Sequence, residues 1–297
     1  MLTLAQIARY HDEGLLVVPD LLNDLTRHRM KDALAAWIED SRKVSTHTDL
    51  FDLEKGHCAA DPRVRRIKQP HSQHPVFEEF IRSAPMLEAL RDLLGPGVRL
   101  QSSKLNLKSP RFGSPVEWHQ DWAFYPHTND DILAVGVMLD EVGEDNGAML
   151  ALPGTHKGPT FDHHGTDGRF CGAMDPAACP GLDFGAAVPV LGRAGSMSFH
   201  HVRLVHGSAQ NLSTKPRTLL LYEYAANDAS PLLGIKDFDE FNGRIVAGEP
   251  TIEPRLADAP VRMPLPPARG QGSIYENQTS VKRRYFELRQ EPALAGR

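Results

Sequence analysis

Long hydrophobic runs are missing from this chain. Nowhere in its 297 residues is there a stretch near the roughly 18 apolar residues that a membrane-spanning helix needs, so no membrane span is expected. Cysteine is scarce too. Cys58, Cys171 and Cys179 are the three present, an odd set without metal-site spacing, which excludes a disulfide scaffold or a cysteine-based zinc site and suits reduced thiols. An excess of basic charge is also absent. The formal net charge is −5 and the isoelectric point is near 6.3, so no nucleic-acid partner is expected. Residues 1–14 carry Arg9, His11, Asp12 and Glu13 in an amphipathic pattern. That pattern lacks the apolar stretch and small-residue cleavage site of a signal peptide. The terminal Leu294-Ala295-Gly296-Arg297 is not a peroxisomal address, and the expected compartment is the cytoplasm.

What is there is ordinary globular material, 41% hydrophobic and 24% charged, together with fourteen histidines that invite a search for metal ligands. Thr3 and Gln6 match a capping box for a helix ending near Gly14. Leu15 to Val18 reads as a short strand. Leu25, Met30, Leu34, Trp37 and Ile38 recur at helical spacing over about 23–41. A further helix is predicted from Pro75 to Leu94, closed by Gly95-Pro96-Gly97. Beyond it the texture changes to short strands, Val98–Lys108, Ile132–Asp140, Ala148–Leu152, Ser196–His200 and Thr218–Tyr224, separated by Gly, Pro, Asn and Asp clusters. The expected fold class is mainly β with flanking α. One domain over 1–297 would consist of a helical layer (about 1–95), an antiparallel sandwich or barrel (about 98–226), and a C-terminal extension (about 227–297). The polar stretch of about 157–189 reads as a lid loop, because structureless segments of that length in compact domains are usually functional.

In Glu117-Trp118-His119-Gln120-Asp121, a strand would turn His119 and Asp121 to one face. Two histidines and one carboxylate leave open coordination positions, the arrangement diagnostic of non-haem Fe(II) oxygenases. His-x-Asp alone is a weak signal, shared by any surface strand with two polar residues. The second histidine must come from elsewhere, and His206 in Leu204-Val205-His206-Gly207-Ser208 is the favoured candidate. His201 has the opposite strand parity to His206. His200 shares parity but would lie roughly 20 Å away along an extended strand. His127 and His156 read as turn or packing residues, and His163 and His164 fall in the lid.

Arg217 follows His206 across a turn of Asn211, Ser213, Thr214, Lys215 and Pro216. A hairpin there would return Arg217 to the same pocket. The planar guanidinium suits a dicarboxylate, since it can form bidentate charge-assisted hydrogen bonds. Ser208 shares the parity of His206 and can add a donor. Lys104, Asn106 and Lys108 alternate with Leu105 and Leu107, giving either a solvated face or a wall of the same pocket.

These residues together resemble the phytanoyl-CoA dioxygenase family. The likeness is carried by His119-Gln120-Asp121 with Trp122, Phe124 and Tyr125, by Asp145-Asn146-Gly147-Ala148 leading to Leu152-Pro153-Gly154-Thr155-His156-Lys157-Gly158, and by Phe199-His200-His201 through His206-Gly207-Ser208 and Asn211 to Arg217. It implies a double-stranded β-helix, or jelly roll. It further implies Fe(II) at His119, Asp121 and His206, and 2-oxoglutarate on Arg217 with help from Ser208, with Lys108 and Asn106 on a strand that touches the co-substrate in some members. The reaction so implied is a dioxygenase reaction. It uses O2, releases succinate and CO2, and hydroxylates an unactivated C–H bond of a small-molecule substrate such as a lipid-like acid, an acyl thioester or a secondary metabolite. Trp122, Phe124 and Tyr125 either line that substrate's pocket or pack in the core. His163 and Arg169 in the lid are further candidates for substrate contact. Two other readings stay open, a cupin-type metalloenzyme that uses no keto acid and a non-catalytic binding module on the same barrel.

Overall fold

The computed structural model describes residues 1–111, 113–270 and 272–288; the end of the expected C-terminal extension, 289–297, lies outside the described residues. The chain opens with helix α1 (Leu4–Glu13), started by the Thr3–Gln6 capping box and stopped at Gly14, whose φ of 72° is left-handed and costs a glycine little. Strand β1 (Leu15–Val18) follows, then α2 (Asp24–Ser41), where the Asn23 side chain accepts from the Thr26 N–H. Next come strands β2 (Phe51–Leu53) and β3 (Val64–Lys68), a single turn α3 (Pro70–Gln73), and helices α4 (Pro75–Ile81) and α5 (Ala84–Leu94).

Two expectations are corrected here. The helix predicted from Pro75 to Leu94 is broken at Arg82 and Ser83, because Pro85 has no N–H to give the preceding turn and fits only the first turn of a new helix. The layer over 1–95 is not wholly helical, since β2 and β3 add to the main sheet.

The remaining strands are β4 (Val98–Lys108), β5 (Val116–His119), β6 (Ile132–Met138), β7 (Met149–Leu152), β8 (Val188–Val190), β9 (Met197–His201), β10 (Val205–Ser208) and β11 (Arg217–Ala226), followed by α6 (Phe238–Gly243), β12 (Ile245–Ala247) and α7 (Ile274–Asn277). An eight-stranded antiparallel sheet runs β1-β9-β6-β11-β4-β3-β2 with β12 on β4, and a four-stranded sheet runs β5-β10-β7-β8. These two sheets form the jelly roll.

Period-2 alternation assigns the faces of the large sheet. On β11, Leu220, Tyr222 and Tyr224 enter the main core with Met30, Phe77 and Leu90 of the helices, while Arg217, Leu219 and Leu221 line the interior cavity. The Tyr222 hydroxyl donates to the Phe77 carbonyl at 2.8 Å, tying α4 to the sheet. On β9 the same rule sends Phe199 to the core and His200 to the cavity.

The stretch 157–189 is seated on the outer face of the small sheet. Met174 and Cys179 join Trp118, Leu152 and Val205 in one buried cluster, with Leu182 and Phe184 packed against it. The Met174 N–H donates to the Trp118 carbonyl at 2.8 Å. Among the described residues no helix is long and apolar enough to cross a membrane.

Candidate metal centre

Strands β5 and β10 are antiparallel neighbours with His119 directly opposite His206. After His119 the chain leaves the strand, and Asp121 begins a single turn of 3-10 helix that keeps its carboxylate beside the two imidazoles. Ligand atoms of His119, Asp121 and His206 all lie within 4.8 Å of one another, and all three residues are buried. Nε2 of His119 is 3.6 Å from Asp121 Oδ1, and Nε2 of His206 is 3.9 Å from Asp121 Oδ2. Each imidazole is oriented by its own backbone: Nδ1 of His119 donates to the Glu117 carbonyl at 2.8 Å, and Nδ1 of His206 to the Leu204 carbonyl at 3.0 Å. Those bonds fix the tautomer and leave both Nε2 lone pairs facing Asp121, the usual preparation of a metal-binding histidine. Burial opposes the charge on Asp121, yet the neighbouring His206, His119 and His200 and the Lys104 ammonium hold its carboxyl well below the ordinary range. The donor set, two neutral imidazoles and one carboxylate, fits a divalent iron ion.

Gln120, between two of these residues, faces away and is saturated. Its Nε2 amide donates to the carbonyls of Pro159 and Arg203, and its Oε1 accepts from the Phe161 N–H. His163 completes the staple: its Nε2 accepts from the Gln120 N–H at 2.9 Å and its Nδ1 donates to the Phe161 carbonyl. Burial pushes His163 down to about 3, so it is a neutral bolt between the 157–189 segment and the His-x-Asp strand. It is absent from the cavity wall.

His200 differs from its sequence expectation. The 20 Å estimate assumed one extended strand, whereas the chain turns at 202–204 and passes from the large sheet into the small one. The His200 ring therefore sits 4.8 Å from that of His206, and its Nε2 is 3.4 Å from Asp121 Oδ2. His201 faces the other way, against Tyr10 and His156.

At one end of the cavity Arg217 is buried. Its Nε and Nη2 both donate to the Gly147 carbonyl, at 3.2 and 2.7 Å, leaving the other guanidinium N–H groups available. Burial lowers it to about 10, still cationic at neutral pH. Gly147 has a left-handed φ of 80°, and a Cβ there would fall 2.7 Å from Lys108 Cδ, so the Asn146-Gly147 turn admits only glycine. Ser208 Oγ accepts from Lys108 Nζ at 2.8 Å, which frees the Ser208 hydroxyl proton for another acceptor. Lys108 itself stands behind Ser208, also bonded to the Ala209 carbonyl. It is off the cavity wall, and burial, with Arg217 nearby, holds its ammonium well below the ordinary lysine range. Asn106 lines the cavity, with its Oδ1 accepting from Arg66 Nε at 3.1 Å. Asn211 ties this end together by donating to the carbonyls of Lys108 and Lys215.

The aromatic and lid candidates separate. Trp122 packs with Ile132, Val202 and Ala225, and its indole N–H donates to the Pro260 carbonyl at 2.9 Å; it packs in the core, away from the cavity. Phe124 and Tyr125 line a recess that adjoins the metal cavity and shares Arg66, Lys104, Asp121 and Ile274 with it. Arg169 lies elsewhere, on a surface hollow with Asp167 and Arg269, where it donates to the Pro267 carbonyl.

The metal cavity, counted with the open space at its mouth, takes up about 570 Å³. Among its lining residues, Arg66, His200, Ile274 and Tyr275 are outside the site set read from sequence. Arg66 comes from β3, too short for periodicity to reveal. Tyr275 comes from the C-terminal segment, folded back so that its ring lies under Arg65 and Arg66, 4.4 and 5.3 Å from their guanidinium carbons. That segment is pinned by Glu117, whose Oε2 accepts from the Tyr285 N–H at 2.9 Å, and by Gln278, which accepts from the Glu117 N–H.

With this geometry in place, similarity to known proteins can be set beside it. A family model for phytanoyl-CoA dioxygenase (PhyH) matches residues 10–219. A protein of Stutzerimonas stutzeri named "Probable alpha-ketoglutarate-dependent hypophosphite dioxygenase" is 40% identical over 245 residues, 82% of this chain and 85% of that one. An ectoine dioxygenase of Bordetella bronchiseptica is 25% identical, over 76% of this chain and 77% of its own. The crystal structure of EctD from S. alaskensis with 2-oxoglutarate and 5-hydroxyectoine shares the fold, with a TM-score of 0.66 at 24% identity over 87% of this chain and 88% of that one. The chain belongs to the phytanoyl-CoA dioxygenase family of Fe(II)- and 2-oxoglutarate-dependent oxygenases.

Proposed function

We propose that the chain is a dioxygenase that holds Fe(II) through His119, Asp121 and His206, and 2-oxoglutarate through Arg217, Ser208 and Asn106. The observation that carries this reading is the group of three buried side chains around one point, with both imidazoles turned so that Nε2 is free. At the far end of the same cavity, three donors face inward without a carboxylate partner among the described residues: the Arg217 guanidinium, the Ser208 hydroxyl and the Asn106 amide. A buried cation without its anion is costly, and a carboxylate of the co-substrate would satisfy all three.

Bound iron and 2-oxoglutarate supply O2 activation coupled to decarboxylation, one oxygen atom leaving in succinate and the other entering the substrate. The chain does the positioning. His119 and His206 are held rigid by their Nδ1 bonds, and His200 orients the Asp121 carboxylate. Arg217 is fixed by Gly147, and Lys108 orients the Ser208 hydroxyl. The jelly-roll walls keep water from the reacting centre.

The relatives act, by their names, on small polar molecules, hypophosphite and ectoine, and we place this chain's substrate in the small-molecule class. Hypophosphite is the first compound to try, and the bond attacked would then be P–H in place of C–H. The test of the reaction class is anaerobic. Addition of Fe(II) and then 2-oxoglutarate should give the weak visible charge-transfer band of the chelate. Protein that has taken up iron and shows no band on adding the keto acid would overturn the co-substrate assignment.

A further inference from the structure

The metal cavity opens into the recess lined by Phe124 and Tyr125, about 600 Å³ in volume. Its other walls are Ser102, Glu223, Ser273 and Asn277, with Arg66, Lys104, Asp121 and Ile274 shared with the metal cavity. Beyond Phe124, the Tyr125 ring, Gly272 and Ile274 the walls are polar or charged, which suits a small polar ligand better than an acyl chain. Two cations, by contrast, stand at the junction. Lys104 Nζ is 2.7 Å from Glu223 Oε1, and burial opposes its charge while Glu223 and Asp121 sustain it. Arg66 reaches Asp52 only at 4.0 Å, and Asp52 is already taken by Lys68 at 3.0 Å. Behind them Arg65 shares the Tyr275 ring with Arg66, and its Nε and Nη2 have no hydrogen-bond partner among the described residues.

We infer that the recess takes a small monoanionic substrate, held beside the metal centre by Lys104 and Arg66. This rests on the proposed iron and 2-oxoglutarate sites, and the reasoning is a charge balance. Divalent iron with Asp121 leaves one positive charge, and dianionic 2-oxoglutarate with Arg217 leaves one negative charge, so the catalytic pair is neutral. What still faces the recess is Lys104 and Arg66 against Glu223, with Asp52 shared between Arg66 and Lys68, a surplus of one positive charge on side chains only 25% and 11% exposed. Uncompensated buried charge is expensive. A monoanion removes it, a neutral molecule leaves it, and a cation adds to it. Arg66 and Lys104 lie on adjacent strands, with Arg66 opposite Asn106 and Lys104 two residues before it, so their donors converge from one wall. An oxyanion suits that pair: the guanidinium fork takes two oxygens and the ammonium a third contact. With hypophosphite, one oxygen atom of O2 would enter a P–H bond to give a P–OH group, the product being phosphite. The other would go to succinate as CO2 is lost.

The experiment uses the full chain loaded anaerobically with Fe(II) and 2-oxoglutarate, at constant ionic strength. Hypophosphite and acetate are the anionic probes, acetamide the neutral one and choline the cationic one; succinate release after admitting air is the second readout. Hypophosphite and acetate should perturb the chelate band, and acetamide and choline should not. Succinate release separates the two anions, since only a phosphorus oxyanion with a P–H bond should raise it if hypophosphite is the right chemistry. Lys104→Gln should raise the half-effect concentration of hypophosphite by tenfold or more, while 2-oxoglutarate titrates within about twofold of wild type; Arg66→Gln should raise it as much, with its 2-oxoglutarate titration read separately because Arg66 also holds Asn106. Lys104→Arg, which keeps the partner of Glu223, should restore much of the loss. A wild-type band that no anion perturbs, or that acetamide or choline perturbs equally, overturns the inference and leaves the iron reading standing. So does an unchanged anion response in both Gln variants. A wild-type protein with no band at all fails the underlying reading instead.

Discussion

The cavity has cations at both ends, one at the first and two at the second, and the ends are supported in opposite ways. Arg217 is buried, anchored only to the Gly147 carbonyl, and has no acidic partner among the described residues. Lys104 is paired with Glu223, and Arg66 is shared between Asn106 and a distant Asp52. An end whose cation touches no internal anion suits a ligand that is always there, as the co-substrate proposed for Arg217 would be. An end whose cations are partly neutralised can remain folded while empty and can be retuned by changing one partner.

The sharpest way to break this comparison is to remove what lies between the ends. His206→Ala should abolish iron binding, the chelate band and succinate release, whereas His201→Ala should keep all three, since its ring faces Tyr10 and His156. Metal analysis of the two purified variants decides it. If His201→Ala loses iron while His206→Ala retains it, the assignment of the second histidine is wrong.

The next largest effect is at Arg217. Truncating one partner of a buried charged contact costs about 2–5 kcal/mol, so Arg217→Ala should weaken 2-oxoglutarate binding by roughly 30-fold or more with iron still bound. The titration of the chelate band reads this directly. An Arg217→Ala protein that binds the keto acid normally would transfer the co-substrate to the other end and reverse the comparison.

Acid should loosen the packing around the site before it reaches either end. Burial lowers His163 to about 3 and His127 to about 4, so both are neutral in the folded chain. Below the ordinary histidine value near 6.5 the unfolded chain takes up protons that the folded chain does not, and stability falls as pH drops from there toward those lowered values. Each group contributes up to about 1.4 kcal/mol per pH unit. Urea unfolding between pH 7 and 5 measures the slope, and His127→Asn should flatten it by one proton's share. A stability that rises on acidification would contradict the buried neutral state.

Much of this was legible in the sequence. The capping box at Thr3 and the strand Val98–Lys108 with its polar and apolar faces follow from local chemistry and periodicity, which operate over a few residues, whereas His206 was reached through strand parity and the family resemblance. What was hidden depends on where the chain turns in space. His200 looked remote because strand arithmetic cannot see the turn at 202–204. Arg66 sits in a five-residue strand whose sequence carries no turn signal or clear alternation. Tyr275 reaches the cavity only because Glu117 and Gln278 pin the C-terminal segment to β5, a contact no window of sequence spans. Trp122 illustrates the converse. Its place beside the motif suggested a pocket, but a large indole with one N–H is best satisfied in the core against a carbonyl, here Pro260.

The smallest effect is the most discriminating for the Arg217 end, because it asks how many charges that end carries. Ser208 Oγ is the hydrogen-bond acceptor of Lys108 Nζ, and Lys108 keeps a second acceptor in the Ala209 carbonyl. Ser208→Ala therefore removes one hydroxyl donor from the co-substrate and one of two bonds from a lysine whose charge is already disfavoured by burial and by Arg217. A neutral-type hydrogen bond is worth about 0.5–1.5 kcal/mol, so 2-oxoglutarate affinity should fall by only about 2- to 10-fold, in KM for the keto acid with kcat little changed. A hundredfold loss would mean that Lys108 is charged and acts on the co-substrate through Ser208. The Arg217 end would then hold two cations, like the end formed by Lys104 and Arg66, and the contrast between them would lie in their acidic partners alone.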